Sequence, residues 1–239
     1  MLFNFGARVV HEVFSEDLQR FSRDAVYHHV ELSRDITPDH IHAALERKDG
    51  AWELTVVTLD KPFLFSNICG VLSSFGMDIL RGHALTNPNG LVLDNFQFTD
   101  DERFFELNDG GQARFLKILE DVVSGRLDVK TRLRARESSV LYRRGVPRFE
   151  PTIHCDNQSS RRYTILDIIA NNAIGLLHRI SRVMSRHGCD VDLVLISTEG
   201  EKAIDVFHIT QAGAKLSDAA QRALTDDLHR MLEGSDEAD

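Results

Sequence analysis

The stretch "NNAIGLL", residues 171–177, has the composition of a carboxylate site. Apolar residues at helical spacing follow Gly175, and the first turn of a helix presents unpaired backbone N–H groups and a partial positive charge. Glycine lets a ligand come close to that backbone. Asn171 and Asn172 stand beside it with amide oxygens that can accept from an ammonium group. Asn171, Asn172, Ala173, Ile174, Gly175, Leu176 and Leu177 therefore form the candidate ligand site, with a small amino acid as the fitting chemistry. A second stretch, "DKPFLF" at residues 60–65, stands in the same relation to its own helix, but Phe63 takes the position of Gly175. A phenyl ring there is expected to fill or reshape the space, so Asp60, Lys61, Pro62, Phe63 and Leu64 read as a degenerate second site. The plainer alternative is that both loops are turns that start helices.

Other reactive residues point to structure. His28, His29, His40 and His42 lie close in sequence without a clustered carboxylate or thiol, so surface histidines are expected and neither a metal nor a cofactor. Cys69, Cys155 and Cys189 contain no Cys-x-x-Cys pair and read as buried reduced thiols. Asp94 shares a strand face with Phe96 and Phe98, and Asp205 one with Phe207 and Ile209. Both carboxylates are expected to be partly buried and to be satisfied by backbone N–H groups of a neighbouring loop.

The elements that must position these residues occur twice. At one constant offset Ile68 falls on Ile180, Val71 on Val183, Leu72 on Met184, Gly76 on Gly188 and Thr86 on Thr198; one gap later Asp94 meets Asp205 and Phe96 meets Phe207. The chain is an internal repeat. In the first copy the pattern predicts a strand over 52–60, a helix over 64–75 ended by a left-handed Gly76, strands over 77–85 and 91–99 joined by the turn "NPNG", and a helix over 112–124. "LDVKTRL" is then available as a fourth strand. The second copy predicts strands over 162–170, 189–198 and 202–211 with helices over 175–187 and 217–233, and no closing strand. "PTIHCD", residues 151–156, is the candidate to fill that edge. The fold class is α+β, two ferredoxin-like βαββαβ modules in tandem.

Residues 7–32 carry Val10, Val13, Phe14, Leu18, Phe21 and Val26 at helical intervals, and "TPDHIHAALER" opens on a Thr cap with Pro at the first helical position. The expected division is a helical segment 1–50, a first module 51–135, a basic linker 136–150, a second module 151–234 and an acidic tail 235–239. Between the modules, residues 126–148 hold eight basic residues against two acidic ones. With a formal charge of −9 the whole molecule does not favour nucleic acid or an anionic membrane. The apolar runs are too short to span a bilayer and a signal-peptide pattern is absent, so a cytoplasmic location is expected.

The arrangement resembles a tandem of ACT domains, and specifically the C-terminal region of the bifunctional PII uridylyltransferase and uridylyl-removing enzymes. In that family each such module begins with a strand ending in Asp-Arg-Pro-Gly-Leu-Leu or a close variant. "DKPFLF" keeps the Asp, Pro and Leu, and "NAIGLL" keeps the Gly-Leu-Leu; "CDN", "STEGEKAIDVFHIT" and "TPDHI" add to the likeness. The resemblance implies glutamine or another amino acid as effector, a regulatory role in nitrogen or amino-acid metabolism, a homo-oligomer and a protein partner. Catalysis is not expected. The one Gly-Ser pair is Gly234-Ser235, in the terminal tail, and no histidine is followed by aspartate, so both of the family's metal-dependent reactions are expected to lack their residues here. The rival readings are a ligand-free dimerisation module with decayed pockets and a fragment or separate subunit of such an enzyme.

Overall fold

The computed structural model describes residues 41–86, 90–138, 150–199 and 201–234. Eight strands form one sheet: β1 (His42–Lys48), β2 (Ala51–Leu59), β3 (Asp78–Thr86), β4 (Leu91–Thr99), β5 (Thr152–Asp156), β6 (Thr164–Asn171), β7 (Cys189–Glu199) and β8 (Lys202–Gln211). Their order across the sheet is β1-β2-β4-β3-β7-β8-β6-β5, and every neighbouring pair is antiparallel. Six helices are described: α1 (Leu64–Ser74), α2 (Phe104–Leu107), α3 (Gly111–Val123), α4 (Val129–Glu137), α5 (Leu176–Arg186) and α6 (Asp218–Leu232).

The two copies of the repeat give β2-α1-β3-β4-α3 and β6-α5-β7-β8-α6. Each half of the sheet buries one face against its helices. Leu54, Val56, Phe96 and Phe98 pack with Ile68, Leu72, Phe115 and Leu119 in the first half, and Leu166, Ile168 and Phe207 pack with Ile180, Met184 and Leu224 in the second. The halves meet where each strand faces its own copy. Gly82 pairs with Val194, its counterpart in the repeat, and a Cβ on Gly82 would lie 3.0 Å from Val194 Cγ1 and 3.1 Å from Phe96 Cε1. One side of this joint must be small because the other is branched. Helices α1 and α5 cross in the same way: His178 Nδ1 lies 2.7 Å from the carbonyl of Ser66, again its own counterpart. Burial lowers the His178 pKa to about 4, so the ring is neutral and Nδ1–H donates to that carbonyl.

Three expectations are settled by the strand and helix assignments. "PTIHCD" does fill the open edge, with Thr152–Asp156 running antiparallel to β6. "LDVKTRL" is not a strand but most of α4, because the Asp128 side chain caps its start by accepting from Lys130 N–H. The vacant edge of the first half is taken by β1 instead. There "TPDHIHAALER" was expected to be helical, yet His42–Lys48 is a strand on β2, with Ala43 opposite Val56. Asp49 and Gly50 both have positive φ, 51° and 86°, and close this hairpin as a two-residue turn of the type whose twist matches paired strands. That Asp-Gly pair was the overlooked signal. The predicted helix over 7–32, the acidic tail, His28, His29 and His40, and most of the basic linker lie outside the described residues.

Candidate functional site

Both loops that lead into the repeat helices have the same backbone. Gly175 stands at φ 69°, ψ 12° before α5, and Phe63 stands at φ 64°, ψ 15° before α1. Left-handed backbone costs a non-glycine residue about 1–2 kcal/mol, so the first copy holds by packing a conformation that the second reaches freely. The Arg182 guanidinium covers the Phe63 ring at 4.8 Å from its centre. Neither helix start has a side-chain cap, which leaves the first-turn N–H groups dependent on other partners.

Asp60 N–H donates to the carbonyl of Gly90 and Leu64 N–H to that of Lys61, as their counterparts do in the second loop, and what sets that loop apart is the side-chain partner of Gly175. At the second loop Gly175 N–H donates to Ser73 Oγ at 2.7 Å, Asn172 N–H donates to the carbonyl of Glu201 at 2.8 Å, and Leu176 N–H to that of Ala173 at 3.1 Å. A Cβ on Gly175 would stand 3.3 Å from the Leu133 side chain, which α4 lays over this loop. Ile174 and Leu177 join Leu133 in the first core cluster, Leu176 is buried in the second, Asn171 ends β6, and Asn172 and Ala173 are exposed. Leu133 of α4 and Ser73 of α1 thus stand against the backbone where a ligand was expected.

At the first loop the corresponding space is open. A cavity of about 340 Å³ lies between the halves, walled by Asp60, Lys61, Pro62, Phe63 and Leu64 of the first copy and by Ser181, Ser185 and residues 188–191 of the second. Such a volume is in the range of small-molecule sites. Ser185 stands in the place of Ser73, yet it donates to the Ser181 carbonyl at 2.9 Å, not to the loop amide opposite. The cavity described is lined by Asp60, Lys61, Pro62, Phe63 and Leu64, the residues read from sequence as the degenerate second site, while Leu133 lies against Gly175. Local sequence could not show this, because Ser73 and Leu133 reach Gly175 from far along the chain.

The cavity is acidic. Asp60 and Asp190 stand at its rim, and Asp94 lines it from within, 1% exposed. Burial and then the charge of Asp60 push the Asp94 carboxyl well above the usual carboxylate range, and the same two causes raise Asp190. The loop N–H groups expected to satisfy Asp94 and Asp205 do not reach their Oδ1 atoms, neither of which has a hydrogen-bond partner. Burial favours the protonated, uncharged form of each carboxyl and brings Asp205 to about 7. Cys189, also on the wall, is pushed up to about 12, so its thiol is no nucleophile at neutral pH. The arrangement can bind a nitrogen cation or a hydrogen-bond donor, and it holds no activated group. Among the described residues no cluster of three or more His, Cys, Asp or Glu could hold a metal ion, and no helix is long and apolar enough to cross a membrane.

No protein-family model matches the chain. A bifunctional uridylyltransferase/uridylyl-removing enzyme of Gluconobacter oxydans (strain 621H) is 30% identical over 211 residues, covering 85% of this chain and 22% of that protein. The enzyme of the same name from Azospirillum brasilense is 30% identical over 177 residues, 74% of this chain and 19% of that protein. This chain is similar to one segment of those enzymes. It spans about a fifth of the length of these curated relatives, which bears out the resemblance read from "DKPFLF" and "NAIGLL". Among solved structures, one provisionally described as a glycine cleavage system transcriptional repressor matches 76% of this chain and 91% of its own at 9% identity, with a TM-score of 0.26. A likeness that slight carries no argument.

Proposed function

We propose that this chain is a regulatory, non-catalytic unit: a tandem of ferredoxin-like ACT modules that binds a small amino acid in the cavity between them. The single observation that carries the reading is the cavity itself, an acidic pocket of about 340 Å³ set against the uncapped start of α1. First-turn N–H groups there suit a carboxylate, and Asp60, Asp94 and Asp190 suit an ammonium group. Because its walls come from both halves, a bound molecule favours one arrangement of the halves over others, and occupancy becomes a shift in conformational population that a partner can read. Similarity to a fifth of the uridylyltransferase/uridylyl-removing enzymes supports an effector like glutamine, a place in nitrogen or amino-acid metabolism, a cytoplasmic homo-oligomer and a protein partner. Leu133 and Ser73 against the loop at Gly175 favour, for that half alone, the reading of a decayed pocket kept for assembly.

The test is calorimetric titration with each of the twenty amino acids, using wild type and Ser181→Phe, which fills the cavity. One amino acid should bind to wild type and not to the variant. If none binds wild type at millimolar concentration, the amino-acid reading fails.

A further inference from the structure

Asp94 and Asp205 occupy the same position of the repeat, on β4 and β8, and both are buried with an unpartnered Oδ1. Only Asp94 is on the cavity wall. A buried carboxyl without a partner is costly, and the cost is commonly met where a ligand supplies the missing contact. The repeat therefore contains its own control: the same residue in the same strand position, once on the wall of this cavity and once away from it. We propose that Asp94 determines what the cavity accepts, by receiving a positively charged nitrogen of the ligand on its carboxylate. The inference rests on the amino-acid reading above and adds the group that selects.

The surroundings agree. The titratable and charged groups around Asp94 are Asp60 and Lys61 of the loop, Cys69 of α1, and Cys189 and Asp190 of β7. Asp60 and Asp190 add negative potential at the mouth, while the two thiols remain neutral because burial raises them. Lys61 is the one cation among these groups. An entering ammonium meets a carboxyl that holds its proton in the empty site; on binding, the proton leaves to the buffer and the carboxylate accepts from the ammonium N–H. A ligand with a hydroxyl in place of the ammonium offers no charge to replace that proton.

The experiment is titration calorimetry at pH 7 in two buffers of different ionisation enthalpy, which counts protons released. Wild type, Asp94→Asn and Asp205→Asn are titrated with the twenty L-amino acids and, for any that binds, with its 2-hydroxy acid analogue. Thermal unfolding checks that each variant is folded. Wild type and Asp205→Asn should bind alike within twofold, release protons on binding to the same extent and reject the hydroxy acid. Asp94→Asn should bind about tenfold to a hundredfold more weakly, the scale of a lost charge-assisted hydrogen bond, and release none. Binding by Asp94→Asn within twofold of wild type with an unchanged proton count overturns the role of Asp94 and leaves the amino-acid reading standing. Failure of every amino acid to bind wild type overturns both.

Discussion

Replacing Asp205 by Asn should make the protein's stability less sensitive to alkali. Asp205 is 2% exposed, and burial raises its carboxyl from an ordinary value of 3.8 to about 7. Below pH 4 the acid is protonated in both the folded and the unfolded chain and favours neither. From about pH 4 to pH 7 the unfolded chain gives up the proton and the folded one keeps it, so stability falls as pH rises; above pH 7 the loss is complete. A difference of about three pH units at about 1.4 kcal/mol each makes the full loss roughly 4 kcal/mol. His178 acts in the opposite sense over nearly the same window. Its pKa is lowered to about 4 by burial, so the unfolded chain takes the proton first and stability falls as pH drops through the range from 6.5 to 4. The two slopes largely cancel in the wild-type curve, and only a difference between proteins reveals either. Urea unfolding of wild type and Asp205→Asn at pH 5, 6, 7 and 8 is the assay. The stability of the variant relative to wild type should grow by about 3 kcal/mol between pH 5 and pH 8. Parallel curves would refute the claim that a neutral acid is buried on β8.

Two further substitutions test the packing that sets the halves against each other. Gly82→Ala places a methyl group 3.0 Å from Val194 Cγ1 at the centre of the joint, and chemical denaturation should show a loss of about 1–3 kcal/mol, the usual cost of overpacking. Leu133→Ala removes a buried side chain of α4 from above Gly175; denaturation should show a loss of about 2–4 kcal/mol. Hydrogen exchange at the Gly175 amide should accelerate in that variant relative to the α1 amides.

Most of the architecture could be read from residues, because the two copies vouch for each other. A pattern weak in one, such as the strand at 202–211, is strong beside its partner at 91–99, and the missing last strand directed attention to "PTIHCD". The failures fall where only one copy existed. Residues 37–47 open with a helical cap signal, but β1 owes its form to the vacant edge of β2 and to the Asp49-Gly50 turn, and tertiary pairing overrode propensity. "LDVKTRL" alternates like a strand, yet that same edge was already taken. The cavity beside Phe63 was illegible for a comparable reason. Glycine at 175 marks where a ligand could approach, but whether the space is vacant depends on Leu133 and Ser73, which no local spacing relates to Gly175. Phe63 adopts the left-handed backbone that its neighbours alone would not predict.

The helix that lies over Gly175 makes the molecule unequal in a way its repeated sequence conceals. Two copies related by a near-twofold arrangement would ordinarily offer two slots, and two slots sharing one joint would influence each other. With Leu133 of α4 laid against one of them, the cavity described above lies at the other. On the proposed reading, one ligand per chain in that cavity gives a hyperbolic dose response, proportional at low concentration and saturating without a threshold. On that reading a steeper response requires coupling to a further site, such as the same cavity of another copy, so its sharpness would report assembly and its midpoint the affinity of the cavity.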